Sequence, residues 1–322
     1  MNMDMIIKFL CAAISSGTPL LFGTVGEILN EKVGHLNLGV EGMMSVGACA
    51  GFMAGYYTDN FLIAILAAAV GGMLTAFIYA LLTVTFMTNQ NVTGLTLTIF
   101  GVGLANLIGV FALAQSPNGT LKLPETITAT IANLNIPGLS DIPVIGTLLF
   151  SYNPFVYIGI AIAILLQFYL YKTKKGLAVR SIGENPATAD AVGINVNLQK
   201  YLNIMLGGAV CGIGGAYCSM IINGGVWIND NVGGLGWIAA ALVIFANWKP
   251  GMAIFGSFVF GALRVLKFYI PKSVIEIPNA FFDMLPFLMT ALVLVVSSAR
   301  KSSQRKSQMP SYLGVNYFRE DR

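Results

Sequence analysis

Apolar residues run along this chain in blocks of about 20 positions, the length an α-helix needs to cross roughly 30 Å of hydrocarbon. From Leu36 to Leu121 the sequence carries only two charged residues, Glu41 and Asp59. A water-exposed domain needs more, because soluble chains hold about 25% charged residues. The blocks predict spans at Phe9–Gly26, Leu36–Tyr57, Phe61–Met87, Val92–Gln115, Pro154–Tyr171, Tyr201–Ile222, Met252–Ile270 and Phe282–Ala299. Leu235–Asn247, before a Trp248-Lys249-Pro250-Gly251 turn, is short for a full crossing. A re-entrant segment of that kind is tolerated only where protein shields its ends. The expected fold class is all-α: one polytopic transmembrane helical bundle over residues 1–322, with roughly eight to ten membrane segments and one of them a re-entrant candidate.

Composition sharpens this picture. Charged residues make up 10% of the chain and hydrophobic ones 56%. The cations collect in two places. Lys172, Lys174, Lys175 and Arg180 mark one cytoplasmic loop, and Arg300, Lys301, Arg305 and Lys306 mark a basic cytoplasmic tail over 300–322. That pattern orients a membrane protein and gives no reason to expect nucleic acid. Counting back places the Ser116–Asn153 loop and the N-terminus outside. Met1–Lys8 mixes Asp4 with Lys8 and no small-residue cleavage site follows, so Phe9–Gly26 reads as a retained span. Small residues recur at four-residue spacing in Gly47, Gly51, Gly55, in Gly101, Ala105, Gly109 and in Gly208, Gly212, Ala216. Such faces let helix backbones approach closely, for tight packing or for sliding. The four cysteines all lie in apolar runs and read as packing residues. A single histidine, His35, excludes a histidine-rich metal site.

Several chemistries have no residues to support them. The sequence contains no Gly-Lys dipeptide, hence no phosphate-binding loop of the usual type. No paired carboxylates and no nucleophile–base set are evident, so the chain is not expected to be an enzyme. Within the spans Glu41 is the one clear ionisable group. A carboxylate there costs roughly 2.5–3.5 kcal/mol unless it is paired or faces water. It is either a structural acid pinning a broken helix beside Gly39 and Gly42, or a residue on a solute path. On the cytoplasmic side, the loop at about 172–200 contains Gly183-Glu184-Asn185-Pro186-Ala187-Thr188-Ala189-Asp190-Ala191-Val192-Gly193-Ile194. Asn185 suits an N-cap, Pro186 the first helical position and Gly193 a C-terminal cap. The pattern predicts a two-turn helix able to dock into a partner's groove or to rest on the bilayer.

These two segments together resemble the membrane permease subunits of bacterial ABC importers of the branched-chain amino acid, ribose and nucleoside class. Asn37, Leu38, Gly39, Glu41, Gly42, Met43 and Met44 match a stretch characteristic of the nucleoside and simple-sugar permeases. Gly183, Asn185, Pro186, Ala189, Gly193 and Ile194 match the cytoplasmic loop that touches the ATPase, with Thr188 and Asp190 departing from its usual residues. The resemblance spans Ser16 to about Ser298. It implies a multi-pass protein of the bacterial cytoplasmic (inner) membrane that binds no cofactor itself. ATP is hydrolysed on a separate ABC ATPase subunit. A second, homologous permease completes a heterodimer in the lipid bilayer, and an extracytoplasmic binding lipoprotein delivers the solute. The coupling segment is expected at Gly183, Glu184, Asn185, Pro186, Ala189 and Gly193.

A nucleoside is neutral, flat and rich in hydrogen-bonding groups, so its path needs amides and aromatic faces rather than charges. Asn37, Gly39, Glu41, Asn106 and Trp237 are the candidate path residues, with Gln115, Asn223 and Trp227 also available. A pentose or another sugar is the alternative solute. A proton-coupled carrier or facilitator using Glu41 is the alternative mechanism, and a structural or assembly protein is a third reading.

Overall fold

The computed structural model describes residues 3–116, 119–134, 144–269, 278–299 and 308–319. The cations Arg300, Lys301, Arg305 and Lys306 lie outside them. The helices are α1 (Met3–Lys32), α2 (Val40–Thr58), α3 (Phe61–Ala80), α4 (Gln90–Gln115), α5 (Glu125–Thr130), α6 (Ile145–Phe150) and α7 (Pro154–Lys172). They continue with α8 (Lys174–Glu184), α9 (Pro186–Ala191), α10 (Val196–Tyr217), α11 (Leu235–Phe245), α12 (Pro250–Val265) and α13 (Asn279–Ala299). The described residues contain no strand, only an isolated bridge between Lys122 and Val226. Six of the helical runs are long and apolar enough to cross a membrane.

Short polar residues start many of these helices. Asn60, Asn89, Thr173, Asn185 and Asn195 each accept a backbone N–H in the first turn of α3, α4, α8, α9 and α10. Proline occupies the first turn of α7, α9 and α12, where its missing N–H costs nothing. α3 and α10 both end in a π-helical turn, at Leu81–Thr85 and Cys218–Ile222.

Contacts sort the helix ends into two sets. At one end, Gly183 after the basic loop meets the α1–α2 turn at Gly34, and Leu36 N donates to Gln90 Oε1 at 2.9 Å. Trp248 donates its indole N–H to Glu31 at the same end. At the other end, Thr126 bonds Asp59, Trp227 N donates to Leu121 O at 2.9 Å, and Tyr269 Oη donates to Lys8 O at 3.1 Å. The basic loop and the N-terminus of α1 lie at opposite ends, and by the positive-inside rule the first end is the cytoplasmic one. α1, α3, α4, α7, α10 and α12 supply the six membrane-length runs, and α2, α11 and α13 pack among them.

Two sequence boundaries need correction. α1 runs past Gly26 to Lys32, because Glu27, Asn30, Glu31 and Lys32 are all buried. Leu235–Asn247 is not re-entrant. It holds the cytoplasmic half of a broken crossing, entered from outside through the non-helical stretch 223–234.

Tight glycine contacts hold the centre. A Cβ on Gly47 would land on the backbone of Gly212, and one on Gly101 would land on that of Gly42. The four-residue spacing therefore serves close packing of α2 against α10 and α4. Cys49, Cys211 and Cys218 are buried free thiols in this core, and Cys11 is half-buried.

Candidate functional site

The break in the crossing at 223–245 follows from Asn223-Gly224-Gly225 and Gly233-Gly234. Gly224, Gly225, Gly233 and Gly234 have φ of +64°, +71°, +60° and +85°, a region an L-residue enters with difficulty. The π turn at the end of α10 leads into this stretch. Irregular backbone at membrane depth must be covered by protein or face water. Here Ile228, Asn229 and Asp230 are exposed, which leaves one side of the segment open on this chain.

Its two anchors come from other helices. Asn106 on α4 donates Nδ2–H to Asp230 Oδ1 at 2.9 Å, and its Oδ1 accepts Asp230 N–H at 3.0 Å. Below, Glu41 on α2 accepts Gly234 N–H on Oε1 at 2.8 Å and Gly236 N–H on Oε2 at 2.6 Å. These are the free N–H groups at the start of α11, where the helix dipole favours a negative charge. Glu41 is 6% exposed and both its oxygens are engaged. It joins the first turn of α2 to the start of α11.

The other predicted residues divide between the opening and the core. Trp237 is half-buried in the first turn of α11, one residue past the Glu41 contact. Asn106 is half-buried beside the exposed Gly103 of α4. Asn37 and Gly39 are not at the opening. Asn37 is fully buried in the α1–α2 turn, where its Oδ1 accepts Gly39 N–H at 2.8 Å and its Nδ2 donates to Glu27 Oε2 at 3.3 Å. Asn223 bonds Asn231, Trp227 packs over Gly109 and against Phe52, and Gln115 is exposed at the end of α4.

Glu41 is also not alone among buried ionisable groups. Glu27 is fully buried and accepts from Asn30 Nδ2 at 2.8 Å and from Asn37 N at 3.0 Å. Glu31, one turn on, takes the Trp248 indole. These acids were missed because charges after Gly26 read as a helix end. Their 27, 30, 31 spacing on one helical face was the available signal. Among the described residues no group of three His, Cys, Asp or Glu is arranged to hold a metal.

On the cytoplasmic face the capped helix forms as expected. Asn185 Oδ1 accepts Thr188 N–H at 3.0 Å, Pro186 opens α9, and Gly193 follows it with φ +88°. Pro186 and Ala189 are buried, while Val192 is 73% exposed. Gly183 and Glu184 end α8, an extra helix the loop's polarity hid. α8 and α9 thus present a short exposed edge beyond the bundle.

A sequence family described as branched-chain amino acid transport system / permease component matches residues 9–294. A nucleoside ABC transporter permease of Lactococcus lactis is 33% identical, covering 94% of this chain and 94% of its own. A guanosine ABC transporter permease of Bacillus subtilis is 31% identical over 94% of this chain and 96% of its own. A putative glucose ABC transporter permease of Haloferax volcanii is 31% identical over 99% of both chains.

Proposed function

The chain belongs to the permease-component family of branched-chain amino acid transport systems, and from that membership we propose that the solute it conducts is a nucleoside. It is the multi-pass membrane subunit of an ABC transporter, with ATP hydrolysed on a separate subunit and solute brought by a binding protein. Membership removes the reading as a structural or assembly protein. A carrier protonated at Glu41 has no support either, since backbone N–H groups fill both carboxylate oxygens.

The observation that carries the nucleoside reading is the opening beside α11. It presents the bonded Asn106 amide and Asp230 carboxylate, with the half-buried Trp237 ring in the first turn of α11. Amides and carboxylates hydrogen-bond a nucleobase edge, and an indole can stack on its face. The nucleoside and guanosine permeases among its relatives favour the same solute. In this reading a second, homologous permease closes the open side of the segment as the other half of a heterodimer. α9, with Gly183, Glu184, Asn185, Pro186, Ala189 and Gly193, is the ATPase contact in this reading.

A sugar is the second reading, favoured by the glucose permease relative. Uptake of labelled nucleosides, pentoses and glucose decides between them, measured with and without this chain and with ATP depleted at a held proton gradient. Nucleoside uptake that needs both the chain and ATP, and that excess glucose leaves unchanged, is the expected result. Uptake of sugars alone overturns it.

A further inference from the structure

The described tail residues 308–319 are bonded across the cytoplasmic turns. Gln308 N donates to Asn247 Oδ1 in the α11–α12 turn at 3.1 Å, and Gln308 O accepts Lys32 Nζ at 2.7 Å. Ser311 Oγ donates to Glu184 Oε2 at 2.6 Å, and Tyr312 N to Gly183 O at 2.9 Å, both at the end of α8. Gly314 N reaches Gly34 O in the α1–α2 turn at 3.1 Å. Asn316 Nδ2 donates to Met87 O at 2.6 Å in the α3–α4 turn. The tail closes on α9: Tyr317 Oη donates to Asp190 Oδ2 at 3.0 Å, and Arg319 Nε pairs with it at 3.1 Å. Between tail and α9 lies a cleft of about 430 Å³, walled by Asp190 and Gly193 on one side and Tyr317 and Phe318 on the other.

Besides the Gln308–Asn247 bond at the end of α11, a second path leads from the tail to the start of α11. Gln90, in the first turn of α4, donates Nε2–H to Asn316 Oδ1 at 2.9 Å and accepts Leu36 N–H on Oε1 at 2.9 Å. Leu36 leads within five residues to Glu41, which holds the N–H groups at the start of α11. α9 itself is a six-residue helix with two buried residues, too short to keep its position by its own hydrogen bonds. Pro186 and Ala189 seat it on the core, and the bonds from Tyr317 and Arg319 to Asp190 tie it to the tail.

We infer that the C-terminal tail couples α9 to the rest of the bundle, with Tyr317 and Asn316 as positioning residues that carry a displacement of α9 through Gln90 and the α1–α2 turn to Glu41 and the broken-helix segment 223–236. The inference rests on the reading of α9 as the ATPase contact. In it the tail converts a push on a small, weakly packed helix into movement of the α1–α2 turn. A bonded network of this kind carries coupling when its parts move together between two arrangements. Without the tail, α9 moves and the segment 223–236 does not follow, so ATP is hydrolysed with less solute moved.

The test uses the complete transporter in proteoliposomes, with both permeases, the ATPase and the binding protein. ATP hydrolysed per nucleoside taken up is measured for Asn316→Ala, Gln90→Ala, their double variant and Tyr317→Phe. Each single variant is expected to raise that ratio about fivefold or more while the ATPase still co-purifies. The double is expected to be no worse than the more severe single, because both remove one connection. An unchanged ratio in Asn316→Ala and Tyr317→Phe, or effects that multiply in the double, overturns the inference. Deleting the chain from Pro310 onward should give the same uncoupling, and if that chain fails to insert, the point variants decide. A Val192→Cys chain checks the underlying reading. Failure to cross-link to the ATPase removes α9 as its contact and the inference with it, whereas cross-linking with an unchanged ratio rejects the tail's role alone.

Discussion

Asn106 and Asp230 exchange two hydrogen bonds across 124 positions of sequence, at 2.9 and 3.0 Å, and so tie the descending segment to α4. Replacing Asn106 with leucine keeps the branched outline, adds some volume and removes both bonds. Asp230 is exposed, so water replaces part of the loss, which leaves about 1 kcal/mol. We expect uptake to fall about fivefold in Asn106→Leu, with the transporter still assembled. Asp230→Asn can restore a reciprocal amide pair and should fall less. Uptake kinetics in proteoliposomes check the order, and equal rates for all three chains would remove the tie from the transport path.

Glu41 is a stricter case because both its oxygens accept backbone N–H groups inside the bundle. Glutamine offers one acceptor and sets an NH₂ group against the second N–H. Buried bonds to a charged group are worth about 1.5–3 kcal/mol. Glu41→Gln should therefore reduce uptake at least about tenfold and lower the thermal midpoint of the purified chain, with Glu41→Ala worse in both. A glutamine chain that transports normally would show that the charge does not hold the start of α11.

The spans were legible because membrane helices announce themselves by apolar length, which needs no tertiary knowledge. α9 was legible because Asn185, Pro186 and Gly193 act locally. The broken crossing was half-visible. Leu235–Asn247 reads as too short, but only the contact with Glu41, 193 positions away from Gly234, shows which half of a crossing it is. Asn37 and Gly39 share a motif with Glu41 and were grouped with it, yet a tight turn buries both, Asn37 on Glu27 and Gly39 on Asn37. The end of α1 misled for a related reason. Glu27, Glu31 and Lys32 look like a surface, and only distant partners such as Trp248 and Gln308 make their burial tolerable.

Gly193 separates a conformational demand from a packing one. Its φ is +88°, and a Cβ built there meets nothing within 4 Å. Any cost of substitution is therefore backbone strain, about 1–2 kcal/mol for a β-carbon in the left-handed region. Asparagine tolerates that region better than other side chains. Transport should fall in the order Gly, Asn, Ala, Val, with membrane insertion intact in all four. Uptake in Gly193→Val equal to that of the unaltered chain would remove the cap after α9 from the coupling path.

Gly212 poses the opposite demand. A Cβ there would strike Ala68 O on α3 and crowd the Gly72 backbone, and the Gly47 backbone already presses on it from α2. Overfilled contacts cost about 1–3 kcal/mol, and backbone cannot rotate away as a side chain can. Gly103, by contrast, has open space where its Cβ would stand. Alanine also gains about 1 kcal/mol over glycine within a helix. Gly212→Ala should lower the thermal midpoint of the detergent-purified protein by several degrees, while Gly103→Ala should hold or raise it. If both shift alike, the approach of α2, α3 and α10 at Gly212 is looser than these contacts require, and the small-residue faces serve sliding instead of fixed packing.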